Sequence, residues 1–261
     1  MSHSFDRDDQ ALAEVSDAGR ASDYRSWHMN QGAEYDECIN RSPLDLYMAQ
    51  RERELIPRVV SRIFPSGIPA YLDFACGTGR ITSLLAPCAD VSVGVDISEK
   101  MLAQARPRCP GTAFVVVDVT KSRPDLGPFD LITGFRFLGN AQHTLRLEAL
   151  QALRGLMKRD GYLLMNNHRN PWSIQSLVLR AQGLSDSGVD LNYMKLRRLY
   201  ATAGFRIVRT YATGAWILTG RLAQSSALNS RAARWLETVT GLRALSPISV
   251  DYLILARKLG D

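Results

Sequence analysis

Residues that build metal centres and disulfide frameworks are scarce in the chain. Its 261 residues include only four cysteines and four histidines. No two cysteines have the Cys-x-x-Cys spacing of a structural zinc site, and no two histidines stand four residues apart. The sequence therefore predicts neither a metal site nor a disulfide framework.

Long apolar runs are absent as well. No run approaches the roughly 20 residues that a transmembrane helix needs. The first ten residues, MSHSFDRDDQ, carry acids where a signal peptide would carry an apolar stretch. We therefore expect a cytoplasmic protein without a membrane partner, and the sequence favours no particular oligomeric state.

Charge of one sign is not concentrated in any segment. Lysine and arginine number 32 against 26 acidic residues, which gives a net charge of +6. This surplus permits an anionic partner such as RNA. The densest basic groups, at 156–159 and 194–198, fall within helical apolar patterns. We interpret them as solvated helix faces, so the charge pattern predicts no nucleic-acid surface.

The patterns that are present divide the chain into three parts. Residues 1–20 are polar and acidic without periodicity, which predicts a mobile arm. Helical spacing then begins at Ser42, which suits an N-cap, with Pro43 at the first helical position. We expect residues 21–65 to form an amino-terminal helical lid over a main domain at 66–261.

Seven short apolar runs lie within this main domain, at 70–75, 91–96, 113–118, 129–135, 161–167, 205–211 and 249–257. The first five are rich in Val, Ile and Leu and mostly alternate with helical patterns, as parallel strands buried on both faces do. Helices are predicted at 79–87, 98–106, 144–158, 191–203 and 221–240. The last of these belongs to a segment, 213–246, that we interpret as an insertion before the final strand.

A glycine-rich turn follows the first predicted strand. Residues 71–81 read YLDFACGTGRI, which runs from an apolar strand through Gly-x-Gly into a helical pattern. Glycines let backbone amides approach a ligand, and a helix start favours a negative group. Dinucleotide-binding proteins use the same device, but they need glycine or alanine where this chain has Thr82. Thr82 therefore argues against a nicotinamide oxidoreductase.

Three aspartates stand at the ends of successive strand patterns. Asp73 lies four residues before Gly77, Asp96 lies nineteen residues after it, and Asp118 ends the third strand. A carboxylate at Asp96 suits hydrogen bonds from two ribose hydroxyls. Taken singly, each acid suits a helix cap or a turn equally well. Their joint occurrence indicates a shared ligand.

With these motifs the chain resembles the class I S-adenosylmethionine-dependent methyltransferases over residues 70–212 and 248–258. YLDFACGTGR is followed by VDISEKMLAQAR, VVVDVT and FDLITGFRFLGN in the family's order and spacing. The resemblance implies an α/β fold with a doubly wound, Rossmann-like, seven-stranded and mostly parallel sheet whose last strand is antiparallel. It also implies S-adenosylmethionine as cofactor. Ala75 departs from the pattern, since many members have glycine there.

The same resemblance implies which residues hold the cofactor. The methionine part would be held by Asp73 and the backbone of Ala75, Gly77 and Gly79. The adenosine part would be held by Asp96 at the ribose and by Ile97, Met101, Asp118 and Val119 at the adenine. The backbone of Phe135 and Arg136 would close the site. Aromatic residues near the amino terminus, Tyr35 above all, suit a lid over the cofactor or, alternatively, packing of a helix on the sheet.

Substrate should bind beyond the carboxyl ends of the strands. The residues expected to contact it are Tyr24, Tyr47, Asn140, Asn167, Trp172 and Trp216. Methyl transfer from a sulfonium needs mainly positioning and exclusion of water, and a general base only where the acceptor loses a proton. His168, directly after a strand, and His143, at the start of a helix, are the candidate bases. Either histidine suits a structural role as well.

The resemblance thus implies transfer of a methyl group to an oxygen or nitrogen of a small molecule, such as a secondary metabolite or a saccharide. An RNA methyltransferase is the alternative that the basic charge favours. Against it, GFRFLGN after the fourth strand lacks the Asn/Asp-Pro-Pro-aromatic signature of nucleobase amino methyltransferases. A non-catalytic cofactor-binding subunit is a third reading, against which the intact glycine turn and Asp96 count.

Overall fold

The structure is a computed structural model that describes residues 24–29, 42–122, 124–184 and 190–259. The predicted arm at 1–20 and the predicted lid residue Tyr35 lie outside these ranges. Within them, no helix is both long enough and apolar enough to cross a membrane.

One sheet organises the fold. Its strands are β1 (Ile68–Phe74), β2 (Ala89–Asp96), β3 (Ala113–Val116), β4 (Phe129–Gly134), β5 (Met157–Asn167), β6 (Phe205–Thr213) and β7 (Asp251–Lys258). They lie in the order β3-β2-β1-β4-β5-β7-β6. Because β7 is antiparallel to both of its neighbours, the other six strands are parallel. The predicted mostly parallel sheet with an antiparallel last strand is confirmed.

In the described ranges, helices precede and connect these strands. They are α1 (Tyr24–Met29), α2 (Pro43–Ile63), α3 (Thr82–Leu85), α4 (Glu99–Arg108), α5 (His143–Gly155), α6 (Ile174–Ala181), α7 (Tyr193–Thr202), α8 (Gly220–Ala223) and α9 (Arg231–Thr240). Short 3₁₀ turns lie at Ala86–Cys88, Ser226–Asn229 and Arg243–Ile248. α2 begins as predicted, since Ser42 Oγ accepts the Asp45 N–H and Pro43 is the first helical residue.

Both faces of the sheet are buried. One face packs with α5 and α7 through Leu72, Ile132, Leu150 and Leu196. The opposite face packs with α2 through Tyr71, Leu131, Ile56 and Val59. Adjacent residues of a strand therefore enter different cores, which explains why the strands read as continuous apolar runs. The arrangement confirms the doubly wound architecture.

Three helical segments differ from the sequence prediction. The pattern at 79–87 gives only α3 and a 3₁₀ turn, because Gly79 lies at φ +78° in the left-handed region. The pattern at 221–240 is divided into α8, a 3₁₀ turn and α9, since Ser225 and Ser230 each cap a new segment. α6 is a helix that the sequence analysis did not predict.

The strand order reverses between β1 and β4, the point at which open α/β sheets bind ligands. The carboxyl ends of β1, β2, β4 and β5 meet at this edge. β7 begins at the same edge because it runs in the opposite direction, with Asn167 of β5 opposite Tyr252. Residues that are far apart in sequence are thereby brought to one place.

Candidate active site

Two adjoining cavities lie at this edge and share Tyr24, His28 and Ala75. The turn cavity has about 490 Å³ of space, including space open to solvent. Its remaining lining residues are Asp73, Cys76, Gly77, Thr78, Arg80, Ile81, Phe135 and Arg136. The strand-end cavity, of about 390 Å³, lies along the ends of β2 and β3. Its lining includes Val95, Asp96, Ile97, Asp118, Val119 and Phe137.

The glycine-rich turn presents its backbone to the turn cavity. Ala75, Gly77 and Gly79 have φ angles of +51°, +55° and +78°. Gly79 is also needed for space, because a Cβ there would lie 3.0 Å from the Cβ of Ala105 in α4. Ala75 carries a Cβ, and an alanine in the left-handed region costs roughly 1 kcal/mol. The fold therefore holds Ala75 in a backbone conformation that alanine by itself disfavours.

Asp73 is fully buried beneath this turn. Its carboxylate accepts hydrogen bonds from the hydroxyls of Thr82 at 2.6 Å and Thr133 at 2.7 Å. Since Thr133 donates to Asp73, the Tyr71 hydroxyl at 2.8 Å must donate to Thr133. Burial raises the pKa of Asp73 to about 6 in spite of these donors. A cation in the turn cavity would favour its ionised form.

The carboxylate of Asp96 accepts hydrogen bonds from two backbone N–H groups. One carboxylate oxygen accepts the Gly77 N–H at 2.9 Å and the other accepts the Ser98 N–H at 2.9 Å. The Ser98 side chain also caps α4. The loop after β2 and the turn after β1 thus fix one buried carboxylate at the strand-end cavity.

Helix α1 covers the strand-end cavity and faces both of its acids. His28 Nε2 lies 3.4 Å from the Asp96 carboxylate, and Arg25 Nε donates to Asp118 at 2.8 Å. Burial acts to raise the pKa of Asp118, but hydrogen bonds from Thr120 and Arg25 outweigh it and lower that pKa. The Tyr24 ring meets the Phe137 ring edge-on at 5.6 Å. Helix α1 therefore places an arginine and a histidine beside the two acids of this cavity.

Two arginines line the turn cavity, and both are paired with acids of α2. Arg80 forms an ion pair with Glu52. Arg136 Nη1 lies 3.2 Å from the Asp45 carboxylate. Asp45 and Glu52 stand two turns apart on one helix, so a single element orients both guanidinium groups. These arginines place two guanidinium groups in the lining of the cavity that also contains the buried Asp73.

Most of the predicted cofactor residues lie at the two cavities. Gly79 and Met101 line neither cavity, and Met101 is fully buried in the first turn of α4. Of the predicted substrate residues, Tyr24 lines both cavities, and the Asn140 amide donates to the Arg136 carbonyl at 2.7 Å.

Several predicted substrate residues are engaged elsewhere. Tyr47 hydroxyl and Trp216 Nε1 donate to Glu237 at 2.7 and 2.8 Å, in a core that joins α2 to the insertion. The Asn167 amide donates to the Leu191 carbonyl and the Tyr252 hydroxyl, both at 3.0 Å. Trp172 is 42% exposed. All four lie outside the lining of the two cavities.

The candidate bases His143 and His168 also lie outside that lining. His143 is exposed at the start of α5, and the His168 ring packs against Gly139. The histidine at both cavities is His28, to which the sequence analysis assigned no role. Its partner Asp96 is 68 residues away, so only the packing of α1 reveals it. Among the described residues, no cluster of three or more His, Cys, Asp or Glu side chains is placed to hold a metal.

Comparison with known proteins gives this geometry a context. Residues 72–161 match the model of a methyltransferase domain. The trans-aconitate 2-methyltransferase of Acidovorax ebreus is 44% identical over 88 residues, which cover 33% of each chain. That of Afipia carboxidovorans is 31% identical over 127 residues, which cover 48% of this chain and 44% of the relative. The chain thus spans about half the length, or less, of the curated relatives it matches.

A solved structure shares the fold over most of the chain. Magnesium protoporphyrin IX methyltransferase from Synechocystis, crystallised with bound S-adenosylmethionine, superposes with a TM-score of 0.54 at 15% identity. The superposition covers 94% of this chain and 95% of that one. The two proteins therefore share the same fold, including the seven-stranded sheet. Residues 72–161 of this chain therefore match a methyltransferase domain, and the chain shares the fold of an enzyme that binds S-adenosylmethionine.

Proposed function

We propose that the protein transfers a methyl group from S-adenosylmethionine to an oxygen or nitrogen of a small molecule. The observation that carries the proposal is the pair of adjoining cavities. One contains a backbone-held carboxylate, Asp96, which suits a ribose, and the other is lined by a left-handed turn over a buried acid, Asp73. A ligand with a nucleoside at one end and a charged amino acid at the other fits this arrangement.

The two cavities would bind different parts of S-adenosylmethionine. Asp96 has lone pairs left for ribose hydroxyls, and Ile97 and Val119 offer apolar surface to an adenine. Asp73 balances the positive charge of a methionine amino group or sulfonium, which would keep its carboxylate ionised. When bound, S-adenosylmethionine supplies a methyl group already activated by positive sulfur. The chain then has only to align the acceptor and exclude water, and α1 is the element that covers the cleft.

We propose further that the acceptor is an anion, such as a carboxylate. Arg80 and Arg136 line the turn cavity, and arginine suits carboxylates in particular. The relatives named for trans-aconitate, a tricarboxylate, support the same class. An ionised carboxylate attacks without losing a proton, so this reading requires no general base.

A methyl-transfer assay tests the proposal. Protein is incubated with methyl-labelled S-adenosylmethionine and separate pools of carboxylic acids (trans-aconitate among them), amines, saccharides and RNA. We expect label in the carboxylic acids. Transfer to RNA alone would replace the proposal with the alternative substrate, and cofactor binding without transfer to any pool would support a non-catalytic subunit.

A further inference from the structure

The end of β4 carries a turn that its own sequence does not favour. Arg136 has φ +58°, in the left-handed region that side chains other than glycine rarely adopt. Three contacts hold it there. Its N–H donates to Asn166 Oδ1 at 2.7 Å, its carbonyl accepts from Asn140, and its guanidinium pairs with Asp45.

Asn166 is fully buried, and its neighbours determine the orientation of its amide. The Nδ2 group donates to Glu52 Oε1 and to Asp251 Oδ2, each at 3.2 Å. The Arg136 N–H can only donate, so the amide oxygen must face it and the amide nitrogen must face the two acids. No other orientation of the side chain satisfies all three partners.

The surroundings of Asn166 are strongly charged. The groups that face it or its partners are Glu52 and Asp45 of α2, Asp251 of β7, and Arg80 and Arg136. Burial and the charge of Glu52 raise the pKa of Asp251, whereas Arg136 and the Asn166 amide lower it. A neutral donor between two buried acids relieves their repulsion.

Asn167, the next residue, provides an internal contrast. It is equally buried on the same strand, and its amide also makes two hydrogen bonds. Those bonds go to Leu191 and Tyr252, which belong to the core on the face of the sheet opposite α2. Substitution of either asparagine therefore removes two buried hydrogen bonds of its amide nitrogen, so an effect that comes only from such a loss should be seen at both positions.

We propose that Asn166 is a positioning residue for the transfer reaction, which fixes the left-handed turn at Arg136 and so directs Phe135 and the Arg136 guanidinium into the turn cavity. The inference rests on the proposed function and adds a residue that does not itself line the cavity. Asn166 joins three elements, α2, β5 and β7, to the one backbone turn that closes the site. Its effect on the reaction passes through Arg136.

The first test compares Asn166→Ala with Asn167→Ala. In the Asn166 variant we expect amide exchange in residues 133–140 to become about tenfold faster, and the Kd for S-adenosylhomocysteine to rise about tenfold, as for one lost buried hydrogen bond. In the Asn167 variant we expect neither change, although the unfolding free energy falls similarly. Wild-type exchange and affinity in folded Asn166→Ala would overturn the inference. Failure of the wild type to bind S-adenosylhomocysteine would instead contradict the proposed function, and the exchange data would still decide whether Asn166 holds the turn.

The second test uses Asn166→Asp, which keeps an acceptor for the Arg136 N–H but puts a third carboxylate beside Glu52 and Asp251. Repulsion should weaken S-adenosylhomocysteine binding about tenfold at pH 8, and lowering the pH should reduce this loss because Asp251, whose pKa is raised by burial, takes up a proton. The wild-type Kd at each pH is the reference. A variant-to-wild-type ratio that does not change with pH would contradict the proposed electrostatic role.

Discussion

The two halves of the cleft hold their acids by different means. In the strand-end cavity, Asp96 is fixed by the backbone N–H groups of Gly77 and Ser98. In the turn cavity, Asp73 is fixed by the side-chain hydroxyls of Thr82 and Thr133. A backbone donor survives almost any substitution, whereas a hydroxyl donor depends on two particular residues. The hydrogen bonds that hold Asp96 are therefore robust to mutation, whereas those that hold Asp73 can be removed by single substitutions.

The largest expected effect concerns the pH dependence of stability at Asp73. Burial raises the folded-state pKa from 3.8 to about 6, so the folded protein holds this proton more tightly than the unfolded chain. The stabilisation is fully present below about pH 4 and is lost as the pH rises through 6, a change of the order of 3 kcal/mol. Urea unfolding of wild type and Asp73→Asn between pH 4.5 and 7.5 measures it. We expect the wild type to lose stability relative to the variant across this range, and a constant difference would contradict the buried, ionisable state.

The next effect is on cofactor affinity at Asp96. We expect Asp96→Ala to weaken binding of S-adenosylmethionine by about 2 to 3 kcal/mol, through lost charge-assisted hydrogen bonds. Calorimetry on folded protein measures this. Ser98→Ala is the matched control, because it removes the cap of α4 but retains the N–H that Asp96 accepts. Equal losses in both variants would mean that the loop, and not the carboxylate, controls affinity.

The smallest expected effect concerns the stability of the glycine-rich turn at Ala75. Ala75→Gly relieves the left-handed alanine at φ +51° but adds freedom to the unfolded chain, so the net gain in stability should be below about 1 kcal/mol. The same change at Ala149, buried within α5, should instead destabilise by about 1 kcal/mol. Thermal unfolding of both variants checks the sign. Destabilisation at Ala75 would show that its methyl group makes a packing contact worth more than the strain.

The fold was largely predictable because its signals are local. Apolar runs bounded by turns predict the strands of a doubly wound sheet, and Ser42 with Pro43 predicts the start of α2. The errors occurred where local signals were weak or divided. Ser230 starts a new helix inside a segment with a continuous helical pattern, and α6 lacks a pattern long enough to separate it from a loop.

The candidate site was predictable only in its cofactor half, and those residues remain predictions. Asp73, Asp96 and the glycines stand at recognisable strand ends, whereas Tyr47 and Trp216 gave no sign that they would meet Glu237. His28, Glu52, Asn166 and Asp251 come together only through the strand order and the docking of α1 and α2. His28 and Asp96 are 68 residues apart in sequence, and Glu52 and Asn166 are 114 residues apart. Helical and strand periodicities relate only residues that are close in sequence, so they cannot predict these contacts.

The buried carboxylate of Glu237 makes the packing of α2 depend on a segment that is synthesised much later. It accepts hydrogen bonds from Tyr47 and Trp216, and Tyr47 precedes it by 190 residues. During synthesis at roughly 5 to 20 residues per second, the apolar side of α2 that includes Tyr47 waits about 10 to 40 seconds for this partner to leave the ribosome. A nascent chain therefore exposes the Tyr47 end of α2 to solvent until the segment that carries Glu237 emerges.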